Sequence, residues 1–416
     1  MKKFLLICCI AITFAGEAQT LRIEDCYTLA KQNYPQAKQR DLIKKSGAYS
    51  IDNIVTGYLP QINIAGQASY QSAVTEVPIK VPGIDIPSLS KDQYKLYGEV
   101  TQVVFDGGVI RQQKKIQEVS TIIEEQTLEV ELYKLNDRIN QLFFGILLID
   151  EQLKQTAITR SDVVTALKKT EASIANGVAL KSSADVLRAE IIKTDQKTIE
   201  LKAMRRAYAD MLALFLNSPV IESAILVKPE PLNNSIEIKR PELSLYDKQA
   251  TLFDVQRKMI SAKNLPKFGL FVQGGAGKPA LNMLSNKFEP YYLGGVRLNW
   301  SLSGWYTAKK ERYLLDIKKQ NVNIQKETFL YNTNMVIKQQ TSEEDKWRTL
   351  LQTDNEMIAL RTSVKNTSLA QLENGVITSS DYIRDVNAED QAKQNKILHE
   401  IQLLQTQYNL KFTISN

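Results

Sequence analysis

The chain has 416 residues, of which 43% are hydrophobic and 24% charged, with one histidine, three cysteines and 18 glycines. This composition excludes collagen, disulfide-stapled scaffolds and disordered tails. Cys8 and Cys9 lie in the first ten residues, so Cys26 is the only later thiol, which excludes a Cys-based metal cluster. His399 is the only histidine, which excludes a His-rich metal site.

The first residues have the pattern of a secretory signal. Lys2 and Lys3 precede an apolar stretch at residues 4–15, and the small residues Gly16 and Ala18 follow it, which predicts a signal peptide over residues 1–18. Its removal lowers the net charge from +7 to about +6, a weak surplus that predicts no nucleic-acid partner. Beyond residue 20 no apolar run approaches the roughly 18 residues of a membrane-spanning helix.

The two halves of the chain resemble each other. Residues 58–61, 97–100, 104–108 and 176–178 are echoed by residues 264–267, 293–296, 301–305 and 374–376, at offsets of 206, 196, 197 and 198. We therefore predict a first repeat at 19–217, a proline-containing linker at 218–241 and a second repeat at 242–416. Each repeat is predicted to hold a helix, a strand pair (about 58–106 and about 265–303) and a helical hairpin (about 107–217 and about 304–412).

The predicted strands alternate between polar and apolar residues. Residues 62–71 do so over ten positions, and in the fourth strand Tyr292, Val296 and Leu298 share one face while Arg297, Asn299, Ser301 and Ser303 share the other. About ten residues is the length of a strand that crosses an outer membrane at a tilt. A half-buried sheet of a soluble protein fits the same alternation.

The predicted helices follow a heptad rhythm. One seam consists of Leu128, Leu132, Leu135, Ile139, Leu142, Ile146, Ile149 and Leu153, and a more polar seam consists of Leu314, Ile317, Asn321, Ile324, Thr328, Tyr331 and Met335. The proline-free intervals 107–177 and 304–375 would each be roughly 105 Å long as continuous helices. Each returns after an Asn-Gly-Val turn, which predicts two long hairpins. A structural coiled coil without transport function is the alternative.

These motifs together resemble the TolC family of outer-membrane efflux proteins. The opening residues 21–26 (LRIEDC) with Asn33-Tyr34-Pro35 are similar to the family's first helix, Phe105-Asp106-Gly107-Gly108 to its strand-to-helix junction, and the Asn-Gly-Val turns to its hairpin tips. The resemblance implies a mainly α-helical chain with membrane β-strands. It further implies a homotrimer in which four strands per chain form a 12-stranded β-barrel, joined to a periplasmic α-helical barrel of coiled-coil hairpins.

The resemblance also implies roles for particular residues. The barrel lumen would be lined by Asn63, Gln67, Ser69, Arg297 and Asn299, and a periplasmic adaptor would dock at Asn176, Gly177, Val178, Asn374, Gly375 and Val376. The periplasmic constriction would contain Asp381, Arg384, Asp385 and Asp185. The family position at Arg384 is acidic in well-known members, and pairing of Arg384 with Asp381 on one helix face would reduce the negative charge of the constriction. A simple helix stop at the tips and solvated helical aspartates are the alternatives.

The predicted function is that of a conduit. Residues 274–278 (GGAGK) lack the spacing of a phosphate loop, and no nucleophile or metal motif is present, so we expect no enzyme activity, no cofactor and no metal. The expected role is a passive exit duct in the outer membrane, with an extension into the periplasm, for small toxic molecules delivered by an inner-membrane pump of the RND or ABC type. Alternatives are a duct for type I protein secretion and a soluble periplasmic adaptor or scaffold.

Overall fold

The computed structural model describes residues 20–75, 88–218, 224–232 and 237–414, and the predicted signal peptide lies outside them. The helices are α1 (Ile23–Asn33), α2 (Gln39–Val55), α3 (Val109–Tyr133), α4 (Leu135–Ala175), α5 (Lys181–Leu216), α6 (Pro241–Lys263), α7 (Gly304–Glu373) and α8 (Ser379–Ile414). The strands are β1 (Thr20–Leu21), β2 (Gln61–Tyr70), β3 (Asp92–Phe105), β4 (Ile225–Leu226), β5 (Lys267–Lys278) and β6 (Glu289–Asn299). Within the described ranges, no helix combines the length and the apolar character needed to span a bilayer.

The chain forms two compact units, each built from segments of both halves of the sequence. The first unit consists of the described residues within Met1–Lys38, Leu128–Pro241 and Phe329–Asn416, and the second of those within Gln39–Thr127 and Glu242–Thr328. The predicted division into two repeats and a linker concerns the sequence and stays a prediction.

The core of the first unit lies where α1, α4, α5 and α8 meet. Phe143, Phe144 and Tyr408 are buried there, with ring centroids 5.9 Å apart for the first two and 5.5 Å apart for Phe144 and Tyr408. Leu226 of β4, which pairs in parallel with β1, belongs to the same core. Cys26 is fully buried in it, and burial raises the pKa of its thiol to about 12, so this cysteine is a packing residue.

The two predicted heptad seams differ in burial. In the first seam Leu128, Leu132, Leu135, Ile139, Ile146 and Ile149 are buried. In the second seam Leu314, Ile317, Ile324, Tyr331 and Met335 are each more than half exposed. The described part of this chain therefore covers the first seam and leaves the second open.

The second unit contains a four-stranded antiparallel sheet in the order β2-β3-β5-β6. Neighbouring strands in this order pair along almost their full lengths, and the register of β3 against β5 shifts between Val103 and Phe105. The outer edges of β2 and β6 have no strand partner among the described residues. The fourth strand is shorter than predicted, because β6 ends at Asn299. Ser301 and Ser303 lie beyond it, with hydroxyls 3.1 Å apart, just before α7.

Asp106 marks the junction between β3 and α3. Its carboxylate accepts hydrogen bonds from the backbone N–H of Gly108 at 2.7 Å and of Ile110 at 2.6 Å, which satisfies donors at the start of the helix. Gly107 and Gly108 have φ values of 74° and 82°, a conformation that favours glycine. The helical interval that follows is divided at Lys134 into α3 and α4, whereas α7 runs through its interval as one helix.

Candidate functional site

The strand register sorts the side chains of the sheet into two faces. Directly paired residues of antiparallel strands project to the same side, and successive residues alternate. Asn63 pairs with Glu99, Glu99 with Gln273, and Gly269 with Arg297. Up to the register shift after Val103, the odd-numbered residues of β2, β3, β5 and β6 therefore share one face, which we call the polar face, and the even-numbered residues share the apolar face.

All five residues predicted to line the lumen belong to the polar face. They are Asn63, Gln67 and Ser69 on β2 and Arg297 and Asn299 on β6. The structure thus places residues of the two edge strands on one face of the sheet, with β3 and β5 between them. Their role as lumen residues stays a prediction.

The polar face also contains a residue pair that the sequence analysis missed. Arg297 donates two hydrogen bonds to Glu99, with Nη1 2.9 Å from Oε1 and Nη2 3.2 Å from Oε2. The guanidinium carbon of Arg297 lies 4.5 Å from the ring centroid of Phe271. The two contacts fix the direction of the guanidinium group. Alternation along β3 would have marked Glu99 as polar, but only the register assigns it to the same face as Arg297.

The apolar face is both hydrophobic and exposed. Its exposed members include Ile62, Ile64, Leu96, Val272, Tyr292 and Val296, with Ile64 at 81% and Tyr292 at 84% exposure. The described strands place only two charged residues on this face, Asp92 and Lys278, which form an ion pair at 3.3 Å where β3 begins and β5 ends. A continuous apolar surface of this kind marks an interaction with lipid or with another protein.

The two Asn-Gly-Val turns have the same backbone hydrogen bonds. Gly177 N donates to Ile174 O at 2.9 Å and Val178 N to Ser173 O at 2.9 Å. In the second turn Gly375 N donates to Leu372 O at 3.0 Å and Val376 N to Gln371 O at 2.8 Å. Both are Schellman motifs, in which the glycine adopts positive φ, here 75° and 68°. Helix α4 ends at Ala175 and α7 at Glu373, immediately before Asn176 and Asn374.

A small cavity, the tip slot, lies between these two turns in the first unit. Its volume is about 190 Å³, and its lining includes Val178, Leu180, Leu372, Ile377 and Ser379. The hydroxyl of Ser379 is buried without a hydrogen-bond partner in the described chain. Val376, beside the slot, is 70% exposed. The slot therefore offers apolar contacts and one unsatisfied polar atom.

Asp381 stabilises the start of α8. Thr378 N donates to Asp381 Oδ2 at 3.2 Å, and Asp381 N donates to Thr378 Oγ1 at 3.2 Å, which is the reciprocal arrangement of a capping box. Thr378 Oγ1 also donates to Asp381 Oδ2 at 2.7 Å. Hydrogen bonds from the side chain and backbone of Thr378, with a further contribution from Arg384, lower the pKa of Asp381 below its usual value. The carboxylate thus has a local structural role that the sequence analysis did not assign.

The other predicted constriction residues on α8 form a compact charge cluster with Asp381. Arg384 is 71% exposed, and its Nη1 lies 3.3 Å from Asp381 Oδ1 and its Nε 3.6 Å from Asp385 Oδ1. Asp385 also accepts a hydrogen bond from Ser368 on α7. Arg384 therefore offsets the negative charge of both aspartates, as its spacing from Asp381 suggests.

Asp185 has different surroundings. Its carboxylate lies 3.1 Å from Arg188, whose guanidinium group also binds Glu171 at 2.8 Å. Asp185 does not belong to a capping box, since Leu180 provides no side-chain cap at the start of α5. A constriction formed by Asp185, Asp381, Arg384 and Asp385 stays a prediction.

The described residues contain no group of three or more His, Cys, Asp or Glu side chains placed to hold a metal ion. His399 Nδ1 lies 2.7 Å from Asp354 Oδ2, and its ring centroid is 5.4 Å from that of Trp347. These contacts join α7 and α8 and give the histidine a packing role.

Comparison with solved structures identifies the fold. No protein-family profile and no curated protein matches the sequence. The outer membrane protein VceC from Vibrio cholerae matches with a TM-score of 0.66 at 10% identity, covering 94% of this chain and 96% of VceC. The CmeC outer membrane channel of Campylobacter jejuni matches with a TM-score of 0.64 at 12% identity, covering 94% and 85% of the two chains.

The open state of the MtrE outer membrane channel of Neisseria gonorrhoeae gives a similar result. Its TM-score is 0.62 at 12% identity, with 94% of this chain and 88% of MtrE covered. At this level of identity the likeness is one of fold, and the chain has the fold of these outer-membrane channel proteins. The resemblance drawn from the sequence is confirmed for the fold.

Proposed function

We propose that this chain is one third of a homotrimeric outer-membrane channel that gives small toxic molecules a passive exit path. The observation that carries the proposal is the sheet of the second unit, with one apolar exposed face, one polar face and two open edges. The apolar face suits lipid, and the polar face suits a water-filled lumen.

The open edges favour assembly from several copies. Unpaired backbone groups in lipid cost several kcal/mol each, so an isolated four-stranded sheet would be unstable there. Pairing of β6 of one copy with β2 of the next removes both edges. Three copies supply twelve strands, which closes a barrel.

The helices of the second unit support the same pairing. Within this unit α2 packs on α3 at Gly47 and Thr121, and α6 is joined to α7 by ion pairs such as Arg257–Asp316 at 2.9 Å. Lys248 of α6 donates to Gln126 of α3. The helix order α2-α3-α6-α7 therefore follows the strand order β2-β3-β5-β6, and the two outer helices both carry exposed apolar residues.

Those exposed residues are Leu42 and Tyr49 on α2 and Tyr313, Ile317 and Ile324 on α7. If β6 meets β2 of the next copy, α7 meets α2 of the next copy as well. The open second heptad seam would then be covered by a neighbouring chain, which explains why its residues are apolar although exposed in a single chain.

The remaining partners follow from the proposed conduit. Because the conduit itself needs no catalytic group, energy would be supplied by an inner-membrane pump of the RND or ABC type. The tip slot and the exposed valines beside it support docking of a periplasmic adaptor at the tip turns. The chain would extend from the outer membrane into the periplasm.

Membrane extraction tests this proposal. We expect the mature protein to sediment with outer membranes, to require detergent for release and to migrate as a trimer by light scattering. In planar bilayers the same preparation should give stepwise conductance. A monomer released without detergent would contradict the proposal and favour the soluble adaptor.

Adaptor docking has a separate test. The variant Val376→Cys places a reactive thiol on the second tip turn, while Cys26 is buried and has a raised pKa. A photoreactive maleimide at this position should crosslink to a periplasmic adaptor in cells, and the same label on an exposed lysine-rich helix position, Lys202→Cys, should not. An adaptor associated with a protein-secretion pump would assign the duct to type I secretion.

A further inference from the structure

A niche on the polar face of the sheet combines cationic and aromatic walls. It has a volume of about 240 Å³ and is lined among others by Thr101, Val103, Lys267, Phe271, Arg297 and Asn299. These six residues are odd-numbered and share the polar face, and the lining also includes the even-numbered Gln102, Phe268 and Leu270 near the register shift after Val103. We call this cavity the wall niche.

Gly269 lies at the floor of the wall niche and adds no side chain to it. This residue pairs with Val103 on one side and Arg297 on the other. A Cβ atom at Gly269 would lie 3.1 Å from the backbone oxygen of Gln102, closer than ordinary contact. Glycine therefore keeps the niche open between the Phe271 ring and the side chains of β3.

The Arg297 guanidinium is held in a fixed position at the niche. Its bidentate contact with Glu99 engages Nη1 and Nη2, and its plane lies near the Phe271 ring. An arginine has five N–H donors, so this pairing leaves donors for a further acceptor.

Lys267 provides the second cation and has no ion pair with any described residue. It pairs in the register with Asn299, whose amide can donate as well. The nearby carboxylate of Asp106 is engaged by the backbone N–H groups of Gly108 and Ile110 at the start of α3. Arg297 is paired with Glu99, and the Asp106 carboxylate faces a helix N-terminus. Lys267 is therefore the cation of the niche that an acid group can reach without displacing an ion-pair partner among the described residues.

We propose that the wall niche transiently binds organic anions that carry an apolar ring or short chain, with the acid group at Lys267 and Arg297 and the apolar part against Phe271. This inference rests on the proposed conduit and adds a cargo class to it, amphipathic carboxylates and sulfonates. The niche is smaller than the 300–1,000 Å³ of drug-sized pockets, so it holds a group no larger than two fused rings or a short chain.

Transient binding suits a conduit. The niche is open to the polar face, so the ligand keeps part of its hydration and its affinity is low. A channel site must release its cargo as readily as it accepts it, which favours weak binding. The niche thus concentrates acidic amphiphiles at the wall without retaining them.

Equilibrium dialysis of 1-naphthoate against the protein in lipid nanodiscs tests the inference, with empty nanodiscs subtracted. We expect saturable binding to the wild-type protein and about tenfold weaker binding to Lys267→Gln, the effect of losing one charge-assisted hydrogen bond. Lys267→Arg should retain binding. The neutral probe 1-naphthalenemethanol should bind the wild type at least about tenfold more weakly than the acid does.

Lys95→Gln is the matched control. Lys95 is also a cation on the polar face, paired with Gln67 and Gly277, but it does not line the niche. Equal loss of affinity in Lys95→Gln and Lys267→Gln would overturn the inference, because it would show that the anion is attracted by the overall positive charge of the polar face and not by a specific site. Unchanged binding in Lys267→Gln would overturn it as well, and Phe271→Leu should weaken binding without changing charge.

Conductance of the same preparation in planar bilayers separates the two proposals. Conductance without naphthoate binding would contradict anion binding at the wall niche and would support the proposed conduit. Naphthoate binding that depends on Lys267 in a protein that never conducts would overturn the conduit and support the niche.

Discussion

Lys365 on α7 and Glu389 on α8 form a buried ion pair, with Nζ 2.8 Å from Oε2. Lys365 also binds Asp162 on α4 at 2.8 Å. Glu389 accepts a hydrogen bond from Thr362 at 2.6 Å and forms a second ion pair with Lys393 at 3.0 Å. Glu389 is only 3% exposed. This cluster joins three helices of the first unit within its helical hairpins.

Replacement of Lys365 by methionine should strongly destabilise the first unit. It leaves two carboxylates without their shared cation, and breaking a buried pair in this way costs about 3 kcal/mol. Chemical denaturation of the detergent-solubilised protein, followed by helical circular dichroism, measures the loss. The control Lys396→Met removes a half-buried pair with Glu400 at 3.7 Å and should cost less than about 1 kcal/mol. Equal losses in the two variants would contradict a special role for the buried cluster.

The same cluster predicts the response to acid. Burial by itself would raise the pKa of Glu389, but hydrogen bonds from Lys365, Thr362 and Lys393 outweigh it and lower the pKa below the usual value. A depressed pKa stabilises the fold at every pH above the unfolded value of about 4.3, and this contribution is lost as pH falls through the folded value. Unfolding free energy should therefore show little change from Glu389 between pH 7 and 5 and should decline below about pH 4.

Glu389→Gln isolates this effect. The variant should be less stable at pH 7, and its unfolding free energy should fall less steeply below about pH 4 than that of the wild type, since the amide does not titrate. Denaturation curves at five pH values measure the slope. An identical acid slope in both proteins would exclude Glu389 as a source of the pH dependence.

The tip turns predict a difference between two replacements of Gly375. A Cβ atom at this position would meet no atom within 4 Å, so the only restriction is the φ value of 68°. Asparagine adopts this conformation far more readily than valine, so Gly375→Val should cost about 1–2 kcal/mol more than Gly375→Asn. We expect the valine variant to abolish efflux while leaving the trimer inserted. Drug susceptibility and membrane fractionation measure the two properties, and normal resistance in Gly375→Val would count against docking at the tips.

A pair of variants separates the capping role of Asp381 from a role in a constriction. Thr378→Ala removes the cap but keeps the carboxylate, and should cost about 1 kcal/mol. Asp381→Asn removes the charge that pairs with Arg384. If Asp381 narrows the conduit electrostatically, single-channel conductance or its cation sensitivity changes in Asp381→Asn and stays at the wild-type level in Thr378→Ala. Parallel changes in both variants would assign Asp381 to the cap alone.

The sequence predicts local features of this chain better than it predicts spatial relations. Alternation along β2 and β6 identifies Asn63 and Arg297 as polar-face residues, because strand periodicity is local. The Arg297–Glu99 pair and the wall niche depend on the register of β3 against β5, which no single strand specifies. Likewise the Asn-Gly-Val motif marks the tip turns, but the capping role of Asp381 requires knowing that α8 begins at Ser379.

Burial is the second quantity that the sequence left open. The two heptad seams have the same spacing, yet Ile139 is fully buried and Ile317 is half exposed. The pattern reports that a residue needs an apolar partner and does not say whether the partner belongs to the same chain. The buried cluster around Glu389 also escaped the sequence analysis, because charged residues in long helices are mostly solvated.

The two faces of the sheet give the most direct test of membrane insertion, since neighbouring residues point to opposite sides. Val272 lies on the apolar face and is 59% exposed, while Gln273 lies next to it on the polar face and pairs with Glu99. A lysine on the lipid-facing side of a membrane barrel costs about 2–4 kcal/mol near the middle of the bilayer, whereas a lysine in a wet lumen costs little. Val272→Lys should therefore reduce the yield of trimer in the outer membrane and lower its resistance to denaturant, and Gln273→Lys should leave both close to wild type. Quantitative fractionation and guanidinium unfolding in phospholipid vesicles measure the two effects, with Val272→Leu as a control for the loss of the valine itself. If Gln273→Lys proved the more damaging variant, the polar face would be the one that meets lipid or a packed partner, and the proposed orientation of the sheet would be reversed.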